Sequence, residues 1–306
     1  MELFPGHLRV LPAEPSAEVQ GLAAWLPRGL RLGTSSWSFP GWAGQVWARE
    51  APREELSARG LAAYAAHPLL RTVSVDRSYY APVPLETWRS YAQQVPDDFR
   101  FVVKAASQLT ASTRDRQPNP RFLDPGFALG AVVEPMVEGL QGKLGGLLVQ
   151  IPPGPVPDDA LNRLDRLLEA LAGEVPTVAV EPRGRGWLGP RYADVLAAWG
   201  AVHVLSVHPA MPDLREQWVQ GGVARGSSLW VRWNLGSGMD YEGAKQRFAP
   251  FRELAAPDLV TRDKLARAVH WALSRERQAV VIANNKAEGC APATLAALAR
   301  ALQAMA

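Results

Sequence analysis

Cysteine is almost missing from this chain: Cys290 is the single thiol in 306 residues. One thiol excludes an internal disulfide framework and fits a reducing compartment, so a cytoplasmic protein is expected. Long apolar runs are missing too, and none approaches the roughly 18 residues of a membrane span. The opening Met-Glu-Leu-Phe-Pro lacks a basic stretch followed by an apolar core, so no secretory leader is expected. Lysine is scarce, at positions 104, 143, 245, 264 and 286 among 33 basic residues, and basic side chains do not gather into runs. The net charge of +3 is small for the length, so the pI near 9.2 is weak support for a nucleic-acid partner.

Several chemical signatures are also lacking. There is no Walker loop, no G-x-G-x-x-G, and no H-E-x-x-H or H-x-x-E-H run. Gly33-Thr34-Ser35-Ser36-Trp37 lacks the second glycine of a nucleophile elbow. His203 and His208 lie on opposite faces of an extended strand, and no Asp/Glu/His set stands at ligand spacing. Neither a metal nor a cofactor is therefore expected. Cys290 follows Gly289 in the last loop and reads as incidental rather than catalytic.

What is present is a repeated design. Thr177-Val178-Ala179-Val180 is an apolar, β-branched run that stops at Glu181-Pro182-Arg183. It reads as a buried strand with an acid and a base at its carboxyl end. Strands of this kind are predicted to begin at residues 30, 71, 99, 145, 177, 201, 229 and 279. Helical patterns are predicted over residues 54–66, 84–94, 127–140, 158–171, 192–199, 262–276 and 292–305. Residues 206–228 read as irregular, and the connections into the fourth and eighth strands are long enough to hold an extra element. Eight strands alternating with helices imply parallel pairing through right-handed crossovers and an α/β fold, a single (β/α)8 TIM-type barrel over residues 30–306. Residues 1–29, with four prolines and little periodicity, read as an N-terminal extension.

In such a barrel the C-terminal strand ends form the site-bearing face. Glu181 is the candidate acid/base, or else one half of a structural pair with Arg183. Lys104 ends an apolar strand and either binds an anion, forms a Schiff base, or pairs with a rim carboxylate such as Asp76. Arg232 suits a bidentate grip on carboxylate or phosphate, or a structural ion pair. Gln150, Asn284 and Asn285 suit fixed hydrogen bonding to a ligand, or, for the asparagines, capping of the last loop. Trp37, Trp42 and Tyr80 offer an apolar wall or ordinary packing. The opposite strand ends carry nothing comparable.

These pieces, in this order, resemble a known family. They are Gly33-Thr34-Ser35-Ser36-Trp37-Ser38-Phe39 with Trp42; Val73 to Tyr80; Pro96 to Lys104; Gly142-Lys143-Leu144-Gly145 through Gln150-Ile151-Pro152-Pro153; Val180-Glu181-Pro182-Arg183 with Trp187; Trp230-Val231-Arg232; and Asn284-Asn285. Together they resemble the DUF72, or YecE-like, proteins, and the likeness runs from about residue 30 to residue 302. The resemblance implies a TIM-type barrel and brings no settled activity. The chain departs from the family pattern at Ser74 and Asp76, where Glu and Asn are usual. It departs again at Ala111, where His is common, and at Trp233-Asn234, which replaces a His-Gly step. It reads as a divergent member.

The resulting expectation is a metal-independent enzyme using acid/base chemistry on a small polar anionic substrate, phosphorylated or carboxylated and sugar-like. Glu181 and Lys104 are its catalytic pair, and Arg183, Arg232, Gln150, Asn284, Asn285, Trp37, Asp76 and Tyr80 its binding set. The alternatives are a ligand- or single-stranded nucleic-acid-binding protein using the arginines of residues 107–124, and a scaffold whose strand-end groups only satisfy one another.

Overall fold

A computed structural model describes residues 10–236 and 238–306. Eight parallel strands close on themselves: β1 Leu30–Thr34, β2 Leu70–Val75, β3 Arg100–Lys104, β4 Leu144–Ile151, β5 Val178–Pro182, β6 Val202–Val207, β7 Ser228–Trp233 and β8 Gln278–Ala283. Each pairs with its neighbours in chain order, and β1 joins β8 through the register Leu30↔Ala279 to Thr34↔Ala283. The predicted strand starts fall within one residue of these. The α/β architecture, a single barrel of the TIM type, is thus the observed one.

Side chains alternate along a strand, so the register sorts inward from outward positions. Gly33, Thr72, Val102, Leu148, Ala179, Val204, Trp230 and Ile282 belong to the inward set. Most of these form a separate dry cluster inside the barrel. Trp230 fills much of that space, and Gly146 makes room for it: a Cβ there would sit 2.9 Å from the indole. The plug closes the barrel as a pore, which leaves two separate ends. Two residues further along, the inward set turns polar at Ser35, Ser74, Lys104, Gln150, Glu181, Ser206, Arg232 and Asn284, with Asp76 one inward step beyond Ser74.

Outside the barrel, helices bury one apolar stripe each. Ala160–Leu171 turns Leu164, Leu167, Leu168 and Leu171 inward, and each such leucine contributes roughly 1.5–3 kcal/mol. Two expectations are corrected. The helix predicted over 54–66 breaks at Gly60 into Arg53–Arg59 and Leu61–Ala65. The stretch read as irregular contains the helix Leu214–Gln220, whose start is held by Asp213 accepting from the Arg215 and Glu216 N–H groups. The long connection into β8 does hold an added helix, Tyr241–Phe248. The helix over 125–140 widens into a π-helical turn at Ala128–Val133, just before Pro135, whose ring cannot donate to the preceding turn.

Residues 10–29 pack onto the barrel. The helix Ala17–Trp25 buries Leu22, Leu26 is buried just beyond it, and the helix lies against the last helix, Ala291–Gln303. Residues 1–9 of the expected extension lie outside the described residues. Among the described residues no helix is long and apolar enough to cross a membrane.

Candidate functional site

Glu181 ends β5 fully buried, and its carboxylate is saturated. Oε1 accepts from Arg183 Nε at 3.0 Å, Ser206 Oγ at 2.6 Å and Asn234 Nδ2 at 3.1 Å. Oε2 accepts from Arg232 Nη1 at 2.8 Å. Arg232 also donates to Gln150 Oε1 at 3.1 Å and to Asp76 Oδ2 at 3.2 Å, while Ser74 Oγ donates to Asp76 Oδ1 at 2.7 Å. Five barrel strands and the turn after β2 thus converge on one network. Burial alone would push the Glu181 carboxyl up. The charges of Arg183 and Arg232 and the hydrogen bonds from Ser206 and Arg232 outweigh that and hold its pKa down at about 2. The same carboxylates raise Arg232 above its ordinary value despite complete burial.

Lys104 is built differently. It ends β3 only 9% exposed, and among the described residues its ammonium has no hydrogen-bond or ion-pair partner. It lies over the Tyr79 ring, 3.9 Å from the centroid. Desolvation lowers its pKa from 10.5 to about 8, more than the attraction of Asp76 and Glu181 restores. Three cations, Lys104, Arg183 and Arg232, therefore face two carboxylates, both already engaged by arginine. His208 stands at the same rim, half-buried, with Nδ1 accepting from the Ala210 N–H at 3.1 Å. Burial and then the charge of Arg183 lower its pKa to about 4, so it is neutral near pH 7. Beside it a cavity of about 270 Å³ opens between Ser206, His208, Leu235, Thr261 and Lys264.

The remaining predicted residues divide. Gln150, Arg183, Arg232 and Asp76 join Glu181. Asn284 lies at the rim, donating to Ser35 Oγ at 2.8 Å and accepting from the Lys286 N–H at 3.0 Å. Asn285 is turned to a structural task, its Oδ1 accepting from Trp42 Nε1 at 3.0 Å and from the Ala291 N–H at 2.8 Å. Trp37 is 4% exposed and packs edge-on to Tyr91 at 5.1 Å, behind the rim. Tyr80 is 81% exposed, and its neighbour Tyr79 takes the place over Lys104. The sequence reading missed Tyr79 because only the tight turn Asp76–Tyr79 decides which of two adjacent tyrosines points inward.

His203 and His208 do not converge. His203 is buried on the outer face of β6, 3.0 Å from Tyr192 Oη, with a pKa lowered by burial to about 4. Among the described residues no group of three or more His, Cys, Asp or Glu side chains stands where it could hold a metal ion. Residues 107–124 form a short helix, Ser107–Thr110, and a two-stranded ribbon pairing Thr113 with Pro118 and Arg114 with Gln117. Arg114 and Arg116 are exposed there, while Arg121 lies over the Phe127 ring at 4.8 Å.

Known proteins resemble this chain over most of its length. A family model described as a protein of unknown function, DUF72, matches residues 31–306. The UPF0759 protein YunF of Bacillus subtilis (strain 168) is 26% identical over 166 residues, which are 53% of this chain. That match takes in 57% of YunF, so the chain spans a little over half the length of this curated relative. A solved DUF72 family protein from Enterococcus faecalis V583 superposes with a TM-score of 0.64 at 21% identity, over 90% of this chain and 95% of that one. Another from Thermotoga maritima MSB8 gives 0.59 at 20% identity, over 90% and 98%. At such identities the likeness is one of fold.

Proposed function

This chain belongs to the DUF72 family, whose description names no activity, and from its own site we propose a metal-independent enzyme of the cytoplasm. It takes a small polar anion, phosphorylated or carboxylated and sugar-like, at the barrel mouth. The observation that carries this reading is the uncommitted Lys104 ammonium beside carboxylates that the arginines already hold. An anion entering the mouth gains an ion pair there without breaking one.

The roles follow from protonation. With a pKa at about 2 and every oxygen engaged, Glu181 is a fixed anion at neutral pH. It positions Arg183 and Arg232, and proton transfer falls to Lys104. A pKa of about 8 leaves an appreciable fraction of its amine neutral near pH 7.5, which suits a general base or a Schiff-base nucleophile toward a carbonyl. A bound carboxylate or phosphate would instead hold Lys104 charged, as a clamp and proton donor. Asn284 and the neutral His208 lie at the same rim to orient the uncharged part of the substrate, and the cavity beside His208 gives that part room.

Calorimetric titration with inorganic phosphate and with sugar phosphates and sugar acids tests the reading. Binding in the wild type, lost in Lys104→Met at unchanged fold, is the expected result. No binding, or equal binding by Lys104→Met, would overturn it. The nucleic-acid alternative is favoured only by the exposed Arg114 and Arg116, and it requires oligonucleotide affinity that falls steeply with salt.

A further inference from the structure

The N-terminal end of the barrel, opposite the mouth, has a cavity of its own of about 590 Å³, within the range of small-ligand sites. Arg31 and Arg100 line it from the first turns of β1 and β3, at inward strand positions two residues before Gly33 and Val102. Glu276 is the one carboxylate among its lining residues. Its floor is the underside of the plug, Trp230 with Val102 and Val280, and the Trp230 N–H is already given to Ser228 Oγ at 3.1 Å.

The arginines here have no carboxylate of their own. Arg31 Nη1 donates to the Asp98 carbonyl at 2.7 Å, and Arg100 Nη1 to the carbonyls of Asp97 and Phe99 at 2.6 and 2.9 Å. Among the described residues neither forms an ion pair, and nor does Arg71 close by, whose Nη2 reaches only the Ala23 carbonyl at 3.5 Å. Burial and then the like charges of Arg100 and Arg71 lower the pKa of Arg31 against the opposing pull of Asp98. Guanidiniums gathered around a cavity repel one another, and each keeps N–H donors aimed at no acid; an anion between them relieves both conditions.

We propose that this end of the barrel binds a small anion carried on a flat apolar body, with its carboxylate or phosphate held by Arg31 and Arg100 and its body resting against Trp230. This site is independent of the mouth, from which the dry plug separates it.

Titration calorimetry of the full chain carrying Lys104→Met, which removes the anion grip of the mouth, tests it with inorganic phosphate, benzoate and adenosine monophosphate. Benzoate or the nucleotide should bind, and which of the two does so distinguishes an aromatic carboxylate from a nucleotide phosphate as the source. Arg31→Gln with Arg100→Gln, added to that background, should weaken the binding at least about tenfold. Ser227→Glu, at an exposed lining position, plants a competing carboxylate and should weaken it similarly; it decides the matter if the arginine variant fails to fold. In that Lys104→Met background, no binding of either organic probe at millimolar concentration, phosphate binding as tightly as they do, or indifference to the Arg31/Arg100 and Ser227 changes would each overturn the proposal.

Discussion

The two ends of this barrel collect charge in opposite ways. At the mouth, Arg183 and Arg232 are matched by Glu181 and Asp76, and a lysine is left over. At the far end, the arginines themselves are left over. The reason lies in strand alternation. Glu181 falls on an inward position of β5, and Asp76, in the turn just past β2, reaches Arg232 from one step beyond the inward Ser74. At the other end the acids Asp97 and Asp98, in the turn before β3, and Glu276, at the cavity wall, all face solvent. Identical side chains therefore become a rigid internal scaffold at one end and an exposed demand for an anion at the other.

Removing Glu181 should break the comparison hardest. Glu181→Ala leaves the buried Arg183 without its carboxylate and the buried Arg232 with Asp76 alone, at an expected cost of about 3–5 kcal/mol in urea unfolding. The pH dependence has a definite sign. The folded-state pKa is depressed from 4.5 to about 2, so this stabilisation is complete above about pH 4.5 and is lost as the pH falls toward 2. Glu181→Gln should lack that acid limb. If its unfolding midpoint follows pH like the wild type's, the carboxylate is not the internal anion described here.

Asn285→Ala should cost less, about 1–3 kcal/mol, because it strips an acceptor from the buried Trp42 indole and the Ala291 N–H. Anion binding at the mouth should survive it, which separates rim architecture from ligand contact. Arg31→Gln and Arg100→Gln should change stability by no more than about 1 kcal/mol, since they lose only hydrogen bonds to carbonyls and relieve like-charge repulsion. A loss as large as that of Glu181→Ala would erase the difference between the ends. Smallest of all is Tyr80→Ala: at 81% exposure it should alter stability by less than about 0.5 kcal/mol and binding not at all.

Much of this was legible in the sequence, for physical reasons. Apolar runs ending at charged or polar residues located all eight strands, and the rule that the C-terminal strand ends of a barrel share one face then placed Lys104, Gln150, Glu181 and Arg232 together. The misses have causes as well. The helix Leu214–Gln220 is two turns long and shows too little periodicity to detect, although Asp213 is an ordinary helix-starting residue. Asn285 was read with Asn284 as a ligand contact or a cap of the last loop; its Oδ1 accepts from the Ala291 N–H at the start of the last helix, as in the second alternative, and also from Trp42, whose part the sequence does not reveal. Arg31 and Arg100 were passed over, the opposite strand ends reading as carrying nothing comparable, because nothing local reveals that both open into one cavity.

The departures from the family pattern also gain a meaning. Ser74 donates to Asp76, so an acid two residues later engages Arg232 where the family usually shows Glu at the earlier position. Asn234, in place of the usual glycine, donates to both Glu181 and Ser206. Both divergent residues are built into the mouth's network.

The central claim is that Lys104, lying over the Tyr79 ring, has no carboxylate partner among the described residues. Five lysines in the chain make their titration by NMR after isotope labelling straightforward to assign with Lys104→Met as the reference. One lysine should titrate at about 8, vanish from the variant, and shift upward when an anion binds; unfolding stability should rise with pH from about 8 to 10.5 in the wild type only. No lysine titrating at about 8 in the wild type and lost from the variant, with no response to added anion, would contradict the account.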